Sequence, residues 1–350
     1  MNIEKRIATS AKGDITIYKV TNRNGSSIEV SSLGAGLLSV IVPDIDGNMA
    51  DVVLGYANPA DYLYDGPCAG KIPGRYANRI AKGEFHIGDK TYNLAINNGP
   101  NALHGGPEGF QNQIWNSLID GNSVVFSYTS VDGEEGYPGN LQVTVKYTWD
   151  DSNALKLDFE AICDADTIVN LTNHTYFNLA GEDAGSVLSH RLWLASHNYV
   201  PTDSTLVPIG NIEAVEDTPM DFTVAKELGK DIKAQFPALI YGKGYDNCWL
   251  IDDWDGNAVK RIAELTEAKS KRKVEVFSNQ PAVQVYTGDW LAGSSKSKSG
   301  HDYNDYDGVA IECQGVPDAP NKPQFPSQLL KAGNKYNRAI VFAFGICDES

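Results

Sequence analysis

Apolar and polar residues alternate strictly over Leu141–Trp149, with Leu141, Val143, Val145, Tyr147 and Trp149 on one face and Gln142, Thr144, Lys146 and Thr148 on the other. After a turn at D-D-S-N-A, Leu155, Leu157, Phe159 and Ala161 alternate with Lys156, Asp158 and Glu160, so the two runs predict an antiparallel hairpin with one buried face. Shorter runs predict strands at 15–20, 27–30, 36–42, 52–56, 123–129, 192–195, 274–278, 282–287, 309–313 and 338–346. Turn dipeptides punctuate them, among them Asn24-Gly25, Asp46-Gly47, Asp120-Gly121, Asp132-Gly133 and Asp255-Gly256. A helical period shows only at 223–232 and 59–64, both short enough to be connectors. Many strands, short turns and no internal repeat predict an all-β fold, expected as a single large β-sandwich domain over 1–350 rather than a propeller.

Hydrophobic residues make up 42% and charged residues 21% of the 350, enough apolar content for a sizeable core. A formal net charge of −16 argues against a nucleic-acid partner, which requires a basic footprint, and favours neutral or cationic small molecules. The short basic run at 269–273, directly before V-E-V-F, is expected to cap a solvated turn, and G-S-S-K-S-K-S-G (293–300) to form an exposed loop. Five scattered cysteines (68, 163, 248, 313, 347) without a C-x-x-C pair suit free thiols in a reducing compartment. The chain opens without an apolar leader and has no run of about 18 uncharged apolar residues, so a cytoplasmic protein with no membrane partner is expected.

Several common machineries are missing from the sequence: no P-loop, no third glycine after Gly34 and Gly36 for a dinucleotide turn, no H-E-x-x-H and no G-x-S-x-G. His190 and His197 are spaced to diverge rather than share a metal, and His86 and His301 have no supporting neighbours. The segment V-N-L-T-N-H-T-Y-F-N-L-A (169–180) sets His174 among amide and hydroxyl side chains that can orient an imidazole for proton delivery. Glu312 interrupts the apolar run V-A-I-E-C, where an acid is costly to bury unless paired or used. Its alternative is an outward-facing strand residue, with Val309 and Ile311 pointing inward. His104 in L-H-G-G is either a ligand-facing donor beside permissive glycines or a turn histidine bonded to backbone. Asn78 and Arg79 occupy a glycine-led turn, Asp246 lies in G-Y-D-N-C-W, and Gln284 is the polar residue of A-V-Q-V-Y.

In order along the chain stand G-R-Y-A-N-R-I (74–80) with A-K-G-E-F, L-H-G-G, G-Y-P-G-N-L (136–141), N-L-T-N-H-T-Y-F-N-L, Y-D-N, Q-V-Y-T-G, and E-C-Q-G-V-P-D-A-P-N (312–321) followed by F-P-S. This set, spread over nearly the whole chain, resembles the aldose 1-epimerase (galactose mutarotase) family. The resemblance implies a large antiparallel β-supersandwich with a few short connecting helices, no metal or organic cofactor, and a free aldohexose such as galactose or glucose as substrate. It also implies the roles. Glu312 would act as base on the anomeric hydroxyl, His174 as acid on the ring oxygen, and His104 as a donor to the reacting oxygens. Asn78, Arg79, Asp246 and Gln284 would bind sugar hydroxyls, with Tyr176 and Trp249 as an apolar platform, in a monomer or homodimer. Two departures bear on substrate preference: Gln111-Asn112 where the family shows x-K, and Asp289 where asparagine is expected. Three other readings remain. A hexose-6-phosphate epimerase would call for more basic residues than Arg75 and Arg79, and a non-catalytic sugar-binding protein would lack the acid or the base. A glycoside hydrolase would need a second carboxylate, for which Asp246 is the candidate.

Overall fold

In a computed structural model of the chain, which describes residues 1–347, the two alternating runs pair antiparallel as Leu141–Trp149 and Ala154–Cys163. Positions 348–350 of the expected span lie outside the described residues. Directly opposed residues share a face, so the register Tyr147 to Leu157 and Val145 to Phe159 collects the apolar halves of both strands on one buried side. These strands sit near the middle of a nine-stranded antiparallel sheet. Its order runs Asn116–Asp120, Ser123–Ser130, Leu141–Trp149, Ala154–Cys163, Lys335–Ile346, Arg272–Ser278, Lys260–Thr266, Arg191–Leu194, Lys226–Glu227.

Two further sheets pack on the apolar side of this one. The first is a five-stranded meander made from the strands Asn2–Ser10, Gly13–Thr21, Ser27–Ser31, Gly36–Pro43 and Met49–Asp51. The second has six strands in the order Tyr176–Phe177, Val309–Gln314, Ala282–Tyr286, Asp246–Leu250, Asn198–Val200, Glu213–Ala214. Val20 and Val40 from the first, Val283 and Ile311 from the second, and Val145, Leu157 and Phe342 from the large sheet belong to one continuous core. The seams are close: Phe177 meets Phe342 edge-on at 5.1 Å between centroids, and Tyr147 Oη donates to Ala35 O at 2.6 Å.

The expected strands fall inside observed ones except at 192–195 and 282–287, which overrun Arg191–Leu194 and Ala282–Tyr286 by one residue, and at 52–56, where Val53 and Tyr56 make single bridges beyond the strand Met49–Asp51. The stretch 59–64 is a 3₁₀ turn over Pro59–Tyr62, capped by the Asn58 side chain. The expected helix at 223–232 does not form. Instead Lys226–Glu227 adds to the edge of the large sheet, and the Leu228 and Gly229 amides donate to His190 O and Leu188 O, so tertiary pairing overrides local helical preference. The α-helix Pro237–Gly242 and the strands Asn2–Ser10, Glu84–Ile87, Lys90–Asn93, Asn116–Asp120, Asp246–Leu250 and Lys260–Thr266 were not foreseen from periodicity. The basic run is not wholly solvated. Arg272 is 3% exposed and donates to Leu179 O and Asn48 O, clamping two loops from within the strand Arg272–Ser278. His190 is buried with Nε2 accepting from the Leu179 amide, while exposed His197 pairs with Asp252, so the two rings serve separate purposes. The 293–300 loop is anchored through Lys298 on Asp51 and Ser299 on Glu182. Among the described residues no helix is long and apolar enough to cross a membrane.

One strand decides where chemistry can occur. Val309, Ile311 and Cys313 of Val309–Gln314 point into the core, while Ala310, Glu312 and Gln314 point to the opposite face. The expected phase holds, yet that outer face is roofed by loops, and Glu312 is 2% exposed.

The face assignment has a measurable consequence for stability. Leu157→Ala, in the core, is expected to lower unfolding free energy by about 2–5 kcal/mol in urea titrations. Ile162→Ala, on the solvent side near the end of the same strand, should change it by less than about 0.5 kcal/mol. Equal shifts for the two would contradict the register.

Candidate active site

On the outer face of the six-stranded sheet Gln284 lies directly opposite Glu312, and Tyr286 lies between Ala310 on one side and Asp246 on the other. The pairing of Tyr176 with Ala310 adds Tyr176 to this face. His174, two residues before that strand, sets its ring tilted 5.0 Å from Tyr176 and edge-on 6.4 Å from Tyr286 between centroids.

Backbone hydrogen bonds fix His174 itself. Its N–H donates to Lys71 O and its carbonyl accepts from the Gly70 amide, each at 2.9 Å. The surrounding amides, expected to orient the imidazole, instead bond the chain: Asn173 Nδ2 donates to Gly70 O, and Asn178 Nδ2 to Gly185 O and Asp307 O. Asn170 goes further. Its Nδ2 donates to Ala77 O at 3.1 Å while its Oδ1 accepts from the Gly315 amide at 2.7 Å, tying the 74–80, 169–180 and 309–315 segments together.

The imidazole Nε2 stands 3.5 Å from Glu312 Oε1, and its ring meets His104 edge-on at 5.3 Å. His174 Nδ1, Glu312 Oε2 and Gln284 Oε1 are buried without hydrogen-bond partners. Buried polar atoms are ordinarily satisfied, so the orphans on His174 and Glu312 point to a polar ligand.

His104 arrives by a short ladder in which Arg79 pairs with Leu103 and Ile80 with Ala102. Asn78 and His104 both adopt left-handed backbone, at φ 67 and φ 54, and bond each other twice. The His104 amide donates to Asn78 O, and the Asn78 amide donates to His104 Nδ1, both at 3.1 Å. Because Nδ1 accepts, the ring proton resides on Nε2, which is left as a donor. Glycine is required next. Gly105 has φ +80, and a Cβ there would lie 1.9 Å from Gly74 O.

Arg79 donates through Nε to Asn98 Oδ1 at 3.0 Å and through Nη2 to Asp246 Oδ2 at 3.4 Å, while Gln284 Nε2 donates to Asp246 Oδ1 at 2.6 Å. Asn78, Arg79, His104, His174, Asp246 and Glu312 all line one cavity of about 670 Å³. Gln284 does not line it; it stands behind Asp246 and orients that carboxylate. Tyr176 borders the cavity as expected, but Trp249 lies on the core face with its Nε1 donating to Met220 O. Tyr241, Tyr286 and Trp290 also stand on the wall and, like Asn98, were not foreseen. Tyr286 was within reach of the alternation, being two residues from Gln284. Arg75, 1% exposed, spends its guanidinium on the carbonyls of Pro138, Gly139 and Ser130, and Arg79 is the one Lys or Arg lining the cavity.

Burial governs the electrostatics. It pushes the Glu312 carboxyl well above the usual range, the Asp246 charge adding and Arg79 opposing. It pulls His174 down to about 4 and His104 well below the ordinary histidine value, so His104 is held neutral. Among the described residues no group of three or more His, Cys, Asp or Glu side chains is arranged to hold a metal ion.

A family profile described as Aldose 1-epimerase matches residues 16–343. The galactose mutarotase of Rattus norvegicus is 42% identical over 320 residues, 91% of either chain, and the aldose 1-epimerase of Escherichia coli (strain K12) is 35% identical over 332 residues, 94% of either chain. Among solved structures, a GalM/aldose epimerase homologue from C. elegans superposes with a TM-score of 0.87 at 30% identity, covering 99% of this chain and all of that one. Fold and similarity over more than nine-tenths of the chain agree: the chain belongs to the aldose 1-epimerase family and is an isomerase.

Proposed function

We propose that this isomerase interconverts the α and β anomers of free aldohexoses such as galactose and glucose, with Glu312 as base and His174 as acid. The observation that carries the reading is the pair itself: a carboxyl and an imidazole 3.5 Å apart, shielded from water, each with an unpartnered atom. Glu312 takes the proton of the anomeric hydroxyl while the His174 imidazolium gives one to the ring oxygen, and the C1–O5 bond breaks. The open-chain aldehyde turns about C1–C2, the hydroxyl oxygen now being the carbonyl. Closure on the other face returns both protons.

The pair gives and receives one proton each way, so its net protonation is unchanged through a cycle. At rest burial favours the pair's single proton on the Glu312 carboxyl, with His174 neutral; the reacting tautomer carries that proton on His174, and in it burial makes Glu312 a stronger base and the imidazolium a stronger acid than either would be in water. Neutral His104, with Nε2–H as donor, suits stabilisation of charge on the reacting oxygen without competing for protons. Arg79 and Asp246 are braced against each other and by Asn98 and Gln284, which suits them to hold sugar hydroxyls in register. A phosphorylated hexose is less well served, because Arg75 is consumed in structure and Arg79 is engaged with Asp246. Four buried thiols, Cys68, Cys163, Cys248 and Cys313, none of them in a disulfide, and the acidic net charge support a cytoplasmic enzyme acting on a neutral sugar as monomer or homodimer, its one domain spanning 1–350.

Polarimetry on freshly dissolved α-D-galactose and α-D-glucose tests this. Wild type is expected to speed the approach to anomeric equilibrium over buffer, and Glu312→Gln and His174→Asn each to cut kcat/KM by at least about a hundredfold with the fold intact. Near-normal turnover in either variant would remove that residue from its role. Gly105→Ala should displace His104 and lower kcat by about tenfold or more, in line with the loss of a positioned donor. A Gly105→Ala enzyme with wild-type kcat would mean that His104 does not act on the reacting oxygens.

A further inference from the structure

Behind the cavity wall lies a carboxyl that the reaction above does not use. Asp289, fully buried, follows the strand Ala282–Tyr286 in the turn that presents Trp290 to the cavity. Thr287 Oγ1 lies 2.7 Å from Asp289 Oδ1 and accepts the Tyr245 amide at 3.0 Å, and the Thr287 amide in turn donates to Tyr245 O. Tyr245 immediately precedes Asp246. On the other side the Trp290 amide donates to Tyr286 Oη at 3.0 Å. One turn thus links Asp246, Tyr286 and Trp290, all of which line the cavity. There is no slack around it: a Cβ on Gly244 would sit 2.2 Å from Asp289 Oδ1, and one on Gly288 2.6 Å from Gly308 O.

We propose that Asp289 is a positioning residue for the sugar site that works only as the neutral acid, standing in for asparagine at the heart of this turn, and that its ionisation displaces Tyr286, Trp290 and Asp246 from their places on the cavity wall. The second carboxyl oxygen, Oδ2, is buried with no partner, a position an O–H or an amide tolerates far better than a full charge. Among the described residues no cation stands within ion-pair distance of it. The groups that face it are acidic or phenolic: Asp246 from the neighbouring strand, Asp305 and Tyr306 from the loop before Val309–Gln314, and Tyr286 from its own strand. Lys243, next to Gly244, lays its ammonium 3.3 Å from the centre of the Trp290 ring instead. Burial, with Asp246 and Asp305 adding and the Thr287 hydrogen bond opposing, pushes the carboxyl up to about 8.

A folded-state value raised above the unfolded 3.8 gives stability that is complete at low pH and is lost as pH rises toward about 8, because the native state keeps a proton the unfolded chain has released. Asp289→Asn removes that dependence. Relative to Asp289→Asn, the wild-type melting temperature should therefore fall steadily from about pH 4 to about pH 8 and level off above. The activity arm rests on the mutarotase reading. The wild-type KM for α-D-galactose should rise about tenfold between about pH 7 and about pH 9, as for loss of one required proton, while that of Asp289→Asn stays flat. Asp289→Ala, which loses the hydrogen bond to Thr287, should raise KM throughout. Parallel melting profiles, superimposable KM profiles, or failure of Asp289→Asn to fold would each overturn the proposal. A wild type that never outpaces buffer would count against the Glu312 and His174 assignment instead, leaving the melting comparison to judge Asp289.

Discussion

The structure turns on keeping a carboxyl and an imidazole side by side away from water. Removing an acid from solvent is costly unless its charge is matched or its proton kept, and Glu312 sits 2% exposed with His174 as its nearest partner. Such an arrangement needs a rigid support. The strand Val309–Gln314 supplies it by burying Val309, Ile311 and Cys313 on its other face, where a fully buried Val or Ile side chain contributes about 1.5–3 kcal/mol. The alternation that builds the sandwich is thus also what aims Glu312 at the cavity.

A sheet face alone would leave the site half made, since His174 and His104 come from irregular chain and Arg79 from a two-residue strand outside the large sheets. Asn170 joins the three segments with one side chain, adding to the backbone bridge it makes with Tyr76. The doubled bonds between Asn78 and His104 and between His174 and the Gly70–Lys71 backbone repeat the logic of a ladder over single residues. Lys71, paired with Asp65 and donating to Tyr62 O in the buried interior, stiffens the same stretch from below. Binding groups held this way need little reordering when a sugar arrives, which favours turnover over mere retention.

The long alternating runs were legible because their partners are adjacent in sequence and one face of each is plainly apolar. The strand Asp246–Leu250 was not, because it is buried on both faces and reads as neither period. The 223–232 run shows the opposite failure: a good local helical pattern lost to hydrogen bonds from a segment more than thirty residues away. For the site, residue types and motif order named six of the cavity-lining groups, but not what each one touches. That Gln284 braces Asp246, that Trp249 faces the core and that the amides near His174 serve the backbone are facts of register and loop packing. Sequence spacing carries no such information where the chain leaves regular structure.

Specificity follows from where the charges have been placed. The two arginines of G-R-Y-A-N-R-I look equivalent in sequence, yet one is a structural clamp on carbonyls and the other is half neutralised by Asp246. A cavity whose one lining guanidinium is already paired, in a chain of formal net charge −16, offers little to a dianion. It offers a great deal to a ring of hydroxyls, since carboxylate, guanidinium and amide present both acceptors and donors at fixed positions, with Tyr286 and Trp290 as flat apolar walls. The same economy explains why an acid can stand at position 289. With Asp246 and Glu312 already crowding carboxyls around this face, a further one is compatible with the fold only while it stays neutral, and a neutral acid is chemically close to the amide it replaces.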